Sequence, residues 1–426
     1  DVGYEKNLQF SEDPLPVFHS LQKKYSSGLV TVPTVGAGTV NTEFEILTGM
    51  RQHDFGVSEY PYKTVLKSKM SESICTDLKK LGYSTHAVHN NEATFYGRNT
   101  VFSNIGFDTF CSMEYMNGLT DSPNGWSNDD VLSREIMKTL DSTSGPDFTM
   151  AITVQSHGKY DGIALDDPTI KVTGAPEGKE QAYEYYVNEI HEVDRMIDTL
   201  IKELSNRKEE TVLVLYGDHL PSLDIQKDDL SNANLYQTQY VVWDNMNLKK
   251  KTKNLHAYQL YAEVLDRIQI HEGMITKYHQ QTKHRSKLYL TGLTTLSYDL
   301  LYGDNYAYDG ENPFKQTELQ MGTEPVKLTS VQKTKSGYRV VGSGFTPYCK
   351  VYYDGTLVES EWISSECLQL QDEFELDEAD KKDSGEPETE VTEPRDVPNA
   401  FVVEVQSDDG VVLSSTQAYP ASQVKK

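Results

Sequence analysis

The chain has 426 residues, enough for two or three domains that each bury a core. With 37% apolar and 10% aromatic residues it reads as globular. Its net charge of −25 argues against nonspecific nucleic-acid binding, because phosphate backbones would be repelled. An anionic substrate would need a locally basic pocket. No apolar run approaches the roughly 18 to 20 residues that span a bilayer. The sequence opens on Asp1 with no signal-type apolar segment, and we read it as part of a longer protein. Cys75, Cys111, Cys349 and Cys367 are too scattered for a disulfide framework or a zinc knuckle, although Cys349 and Cys367 share one small segment and are the candidate pair.

In chain order, the first notable stretch is "TVPTVGAGTVNTEFEILTGM" (31–50), which passes from turn-forming residues into a helical pattern at Thr39. Thr42 and Glu45 have the spacing of a capping box. Helical periodicity follows at 64–82 and 129–141, and again at 185–204, where Val187, Ile190, Val193, Ile197, Leu200 and Ile201 form one stripe. "FTMAITVQ" (148–155) and "ETVLVLYGD" (210–218) read as buried strands running straight into polar residues. Strands alternating with helices predict an α/β unit over 1–317 with a mostly parallel sheet flanked by helices. Ligands then bind outside the carboxyl ends of the strands. After a linker near 305–325, residues 325–426 carry short β-runs broken by Gly, Pro and Asp-Gly, which predict a small β-sandwich. An acidic loop near 372–396 interrupts it.

Three stretches bring reactive groups to such ends. The first, "GAGT" before a helix, offers free backbone N–H groups and a positive dipole end; on the residues alone Thr39 is a turn residue or is presented for chemistry. The second, "LYGDHLPS" (215–222), delivers Asp218 and His219, good donors for a divalent cation but equally at home in a turn. The third holds His89, Asn91, Tyr96 and Arg98 within 87–110 and is joined by His157 of "TVQSHGKY". Arginine forks suit phosphate oxygens and histidines carry protons.

Together with "HNNEATFYGRNTVFSNIGFDTF", "YQTQYVVWDN" and "TTLSYDLLYGDNYAY", these stretches resemble the catalytic domain of the lipoteichoic acid synthase and phosphoglycerol transferase family, in the sulfatase-like alkaline phosphatase superfamily. The resemblance covers about residues 10 to 310. It implies a threonine nucleophile, matched by Thr39, that attacks phosphatidylglycerol and passes glycerophosphate to a polyglycerolphosphate or glycan acceptor. It implies Thr39, Asp218 and His219 as ligands of a divalent metal, Mn2+ foremost with Mg2+ or Zn2+ as alternatives. His89, Asn91, Tyr96, Arg98 and His157 match positions that hold the head group. Asn91 and Tyr96 stand where acidic and tryptophan residues also occur in the family, which bears on head-group preference.

The family also carries a glutamate metal ligand on a first strand, and membrane helices before it. The resemblance therefore implies both upstream of Asp1, with the domain on the extracellular face of a bacterial cytoplasmic membrane. The C-terminal stretch "VVGSGFTPYCKVYYDG" is similar to Ig-like domains of the IPT/TIG type, for which spacing or partner contact is the expected role. The sulfatase signature C/S-x-P-x-R is absent, since Thr39 is followed by Val40, Asn41, Thr42 and Glu43. Two alternatives stay open: ester hydrolysis on the same fold, and a non-catalytic protein that binds anionic surface polymer.

Overall fold

The computed structural model describes residues 5–56, 59–371, 374–376 and 394–425. The predicted buried strands anchor two four-stranded sheets. One is wholly parallel, in the order β10 (Gln320–Met321), β4 (Thr109–Cys111), β3 (Ser84–His89), β5 (Asp147–Ile152). The other runs β7 (Val212–Tyr216), β8 (Gln237–Asp244), β2 (Ser26–Thr31), β9 (Leu255–His256). In that sheet β8 is antiparallel to both neighbours and β9 is parallel to β2. A short ribbon pairs β1 (Gln9–Phe10) with β6 (Val172–Thr173).

Helices cover both faces, as near-continuous apolar strands require. Against one face pack α2 (Thr39–Thr48), α3 (Ile74–Lys79), α4 (Arg98–Asn104), α7 (Ala257–Arg267), α8 (Met274–Gln281) and α9 (Lys287–Leu301), around Ala87, Phe110 and Met150. Against the other lie α1 (Pro16–Lys24), α5 (Val131–Asp141) and α6 (Glu180–Asn206), around Val88, Cys111 and Trp243. Neighbouring residues such as Ala87 and Val88 thus enter different cores, the period-two alternation of a strand.

The antiparallel C-terminal strands form two sheets. One is ordered β11 (Lys327–Thr334), β12 (Gly337–Ser343), β16 (Cys367–Leu370), β15 (Ser360–Ser364). The other is ordered β14 (Thr356–Val358), β13 (Cys349–Tyr353), β17 (Ala400–Gln406), β18 (Val412–Ser415), with β19 (Tyr419–Pro420) also on β17. Val331, Val340 and Leu368 of the first meet Val351, Phe401 and Val403 of the second in a common core, so the predicted sandwich forms. Its Asp354-Gly355 turn has both central φ angles positive, at 47° and 72°, as a tight two-residue hairpin requires.

Four expectations change. The helix predicted at 64–82 breaks into short 3-10 turns, and α3 starts afresh where the Ser73 hydroxyl accepts from the backbone of Cys75 and Thr76. Thr42 caps nothing, because α2 begins at Thr39. Cys349 and Cys367 stay free thiols on strands of opposing sheets. The stretch expected as linker contributes Gln320–Met321 to the parallel sheet. Of the acidic loop, residues 372–373 and 377–393 lie outside the described residues.

Candidate active site

β5 and β7 end at the same place, and a cleft of about 770 Å³ opens between them. Apolar side chains such as Met150, Ile152, Val214 and Leu215 line most of it, and Thr39, His157, Asp218 and His219 line it as well.

Thr39 reaches the cleft through the geometry of its turn. Gly38 precedes it at φ +96°, a conformation that side chains disfavour, and a Cβ there would stand 2.8 Å from Thr34 Oγ1. Gly38 is thus the N-cap and Thr39 the first helical residue, with no capping duty for its hydroxyl. That hydroxyl lies 3.4 Å from His219 Nε2. His219 Nδ1 donates to the Leu220 carbonyl at 2.7 Å, which leaves the Nε2 lone pair facing Thr39 and, at 3.3 Å, Asp218 Oδ2. One turn into α2, the Thr42 hydroxyl donates to the Asp218 carbonyl at 2.7 Å and ties the helix to the Asp-His loop.

The other histidines are pinned in the same way. His89 Nδ1 donates to Ile152 O and His157 Nδ1 to Gly158 O, each at 2.9 Å, so both keep an Nε2 lone pair. The His157 ring stands edge-on to His219, with centroids 6.2 Å apart. Burial, and then the charge of Arg98, hold the His89 pKa well below the usual range, so this imidazole stays neutral.

Tyr96 sits at φ +61°, stacked on Tyr60 with ring centroids 6.1 Å apart, and Arg98 lies 5.5 Å over its ring. Arg98 itself is buried. Its guanidinium forks onto Glu43, Nη2 to Oε1 at 2.5 Å and Nε to Oε2 at 3.2 Å. Burial alone would lower the Arg98 pKa, but the Glu43 carboxylate more than offsets it and the net shift is upward. Asn91 is also buried, and its side-chain oxygen accepts from the Glu92 amide at 2.8 Å.

From sequence Thr42 reads as a capping residue, and neither Glu43 nor Asp129 stands out. Asp129 is buried and accepts from the Val154 and Gln155 amides and the Asn90 side chain, which joins the loops bearing His89 and His157. For Thr42 and Glu43 a signal exists: they follow Thr39 by three and four residues and share its helix face. Asp129 offered none.

The donor set of Thr39, Asp218 and His219 suits a divalent cation that takes mixed oxygen and nitrogen ligands. Among the described residues no group of three or more His, Cys, Asp or Glu side chains that could hold a metal ion is formed.

Thr39, His157, Asp218 and His219 thus meet where strands end, the position at which open α/β sheets hold their ligands. The chain belongs to the sulfatase family, whose sequence profile matches residues 1–311. A Rhizobium meliloti (strain 1021) protein named for cyclic beta-1,2-glucan modification is 30% identical over 262 residues, covering 57% of this chain and 40% of that protein. Lipoteichoic acid synthase 2 of Bacillus subtilis (strain 168) is 23% identical over 197 residues, covering 45% of this chain and 29% of the synthase. The chain thus spans less than half of these relatives' lengths. Among solved structures, the Streptococcus pyogenes phosphoglycerol transferase GacH in complex with sn-glycerol-1-phosphate shares the fold at TM-score 0.60 and 22% identity, covering 74% of this chain and 87% of GacH. The Listeria monocytogenes lipoteichoic acid synthase LtaP does so at TM-score 0.50 and 18% identity, covering 64% and 73%.

Proposed function

We propose that this chain is the catalytic part of a metal-dependent phosphoglycerol transferase that works through a phosphothreonine intermediate. The observation that carries the reading is the uncapped Thr39 hydroxyl at a helix start, 3.4 Å from His219 Nε2 and beside Asp218. Relatives named as lipoteichoic acid synthases, and a fold shared with a phosphoglycerol transferase, support the same chemistry.

In this reading Thr39 Oγ bonds to the phosphorus of phosphatidylglycerol as the bond to the diacylglycerol oxygen breaks. The threonine's proton ends on that departing oxygen, and His157 Nε2 is free to relay it. The hydroxyl of a polyglycerolphosphate or glycan acceptor then attacks the same phosphorus as the bond to Thr39 Oγ breaks, and the acceptor's proton passes to Thr39 Oγ and restores the hydroxyl. Thr39, Asp218 and His219 would hold a divalent cation, Mn2+ foremost, which would lower the hydroxyl pKa and steady the phosphoryl oxygens. His89, Asn91, Tyr96, Arg98 and His157 shape the head-group pocket, with His89 kept neutral so that it binds without adding charge. On the family's pattern, the intact protein works at the outer face of a bacterial membrane. The Asp218 side chain is one-third exposed, so water can reach the site and phosphodiester hydrolysis is the runner-up.

The test incubates the chain with Mn2+ and a labelled phosphatidylglycerol analogue, then digests it for mass spectrometry. The expected result is a glycerophosphoryl adduct on the peptide containing Thr39, with both adduct and diacylglycerol release lost in Thr39→Ala. Release that survives Thr39→Ala overturns the nucleophile, and activity indifferent to chelation removes the cation.

A further inference from the structure

Helix α9 (Lys287–Leu301) presents to solvent a face without charge. Leu288, Thr291, Thr295, Tyr298 and Tyr302 follow one another at spacings of 3, 4, 3 and 4 residues, which is one stripe of a helix, and all are exposed. Leu288 is 74% exposed, Tyr298 63%, and Tyr306 just beyond the helix 76%. Large apolar side chains so open and so close together mark a contact surface, since scattered single ones would need no explanation.

At the N-terminal end of this stripe the charge runs against the rest of the molecule, whereas Asp299, Asp304 and Asp309 flank its Tyr302 and Tyr306 end. Residues 273–298 contain no Asp or Glu but hold Lys277, Lys283, Arg285 and Lys287. At the chain's average acid content about four acids would fall in a segment of that length. Lys283, Arg285 and Lys287 are exposed and make no ion pair among the described residues. They crowd the N-terminal end of α9, where cations oppose the helix dipole, so helix stability does not account for them. The far end of the stripe reaches helix α2 through ring contacts: Tyr302 packs on Phe55 at 6.1 Å and Phe55 on Phe44 of α2 at 5.3 Å.

We propose that this face rests on a bilayer containing anionic lipid. Lys283, Arg285 and Lys287 meet lipid phosphates, and Leu288, Tyr298, Tyr302 and Tyr306 enter the interfacial layer, where tyrosine's polar tip and apolar ring are both accommodated. The proposal goes beyond the transfer reaction, because binding to a lipid surface needs no turnover.

The experiment is flotation of the whole chain with vesicles of phosphatidylcholine alone or of an equal mixture with phosphatidylglycerol. The chain is expected to float with the mixed vesicles and to be released by added salt. The charge reversal Lys283→Glu/Arg285→Glu/Lys287→Glu is expected to weaken binding at least about tenfold. Leu288→Ser/Tyr298→Ser/Tyr306→Ser is expected to weaken it as well. Both variants should keep wild-type turnover of a water-soluble phosphodiester, so a failure of catalysis reads separately. Equal flotation with both vesicle types, or variants that bind as the wild type does, overturns the proposal. So does self-association abolished by the serine variant without lipid binding, which would make the face a protein contact.

Discussion

Glu43 and Arg98 hold one another in an interior where neither side chain is more than 2% exposed. A charge left alone there keeps its desolvation cost and loses its partner's attraction. Arg98→Ala is therefore expected to lower the unfolding free energy by about 3–5 kcal/mol, read from denaturant titration. A loss of about 1 kcal/mol or less, typical of a surface pair, contradicts that. Reduced activity in the same variant then contains a folding contribution, and Arg98 is better probed by kinetics on the fraction that remains folded. At this scale the sequence shows some residues and hides others, for a physical reason. Thr39, Asp218, His219 and His157 follow strands or start a helix, so the sheet's own geometry gathers them. That Arg98 is buried depends on a carboxylate 55 residues away, and nothing local to either residue announces the pair.

Among the elements, α8 shows how a helix is locked to its neighbours through a neutral imidazole. His279 Nδ1 accepts from the Tyr289 hydroxyl of α9 and Nε2 donates to the Gly49 carbonyl after α2, both at 2.8 Å. Burial pushes its pKa down to about 4 from 6.5. Above pH 6.5 folded and unfolded chains are both neutral here and pH has no effect. As pH falls from 6.5 toward 4, the unfolded chain takes a proton that the folded chain refuses, so stability drops. The loss is about 2 kcal/mol at pH 5. Unfolding free energies at pH 7 and pH 5 should differ by that much more in the wild type than in His279→Gln; identical differences would contradict it. Element identity was mostly legible, because α5, α6, β5 and β7 carry clean periodicities. The exception at 64–82 has a cause: a polar Ser71-Glu72-Ser73 stretch restarts the helix with its own cap, and a sliding apolar pattern passes over such a break.

For the molecule as a whole, chemistry and bulk are divided. The two sheets and their helices carry the candidate site, and the C-terminal sandwich attaches through Tyr115 to Ser414 and Thr346 to the Glu114 carbonyl, away from Thr39. The predicted α/β architecture holds in outline. Only one sheet is wholly parallel, because in the other β8 pairs antiparallel with both β7 and β2, an arrangement that apolar runs do not disclose.

The cleft between β5 and β7 has one more property. No backbone hydrogen bond joins these strands among the described residues, so two sheet borders look at each other across greasy walls. Borders of that kind invite a guest in extended form. A single stretch of polypeptide threaded between them would stitch both halves into one continuous fabric. Deuterium uptake gives the measure: inward-facing amides of 147–152 and 212–216 should exchange quickly in this chain and slow sharply once such a stretch is supplied, while those of β3 hardly change. Uniformly slow uptake from the outset would show the seam already closed.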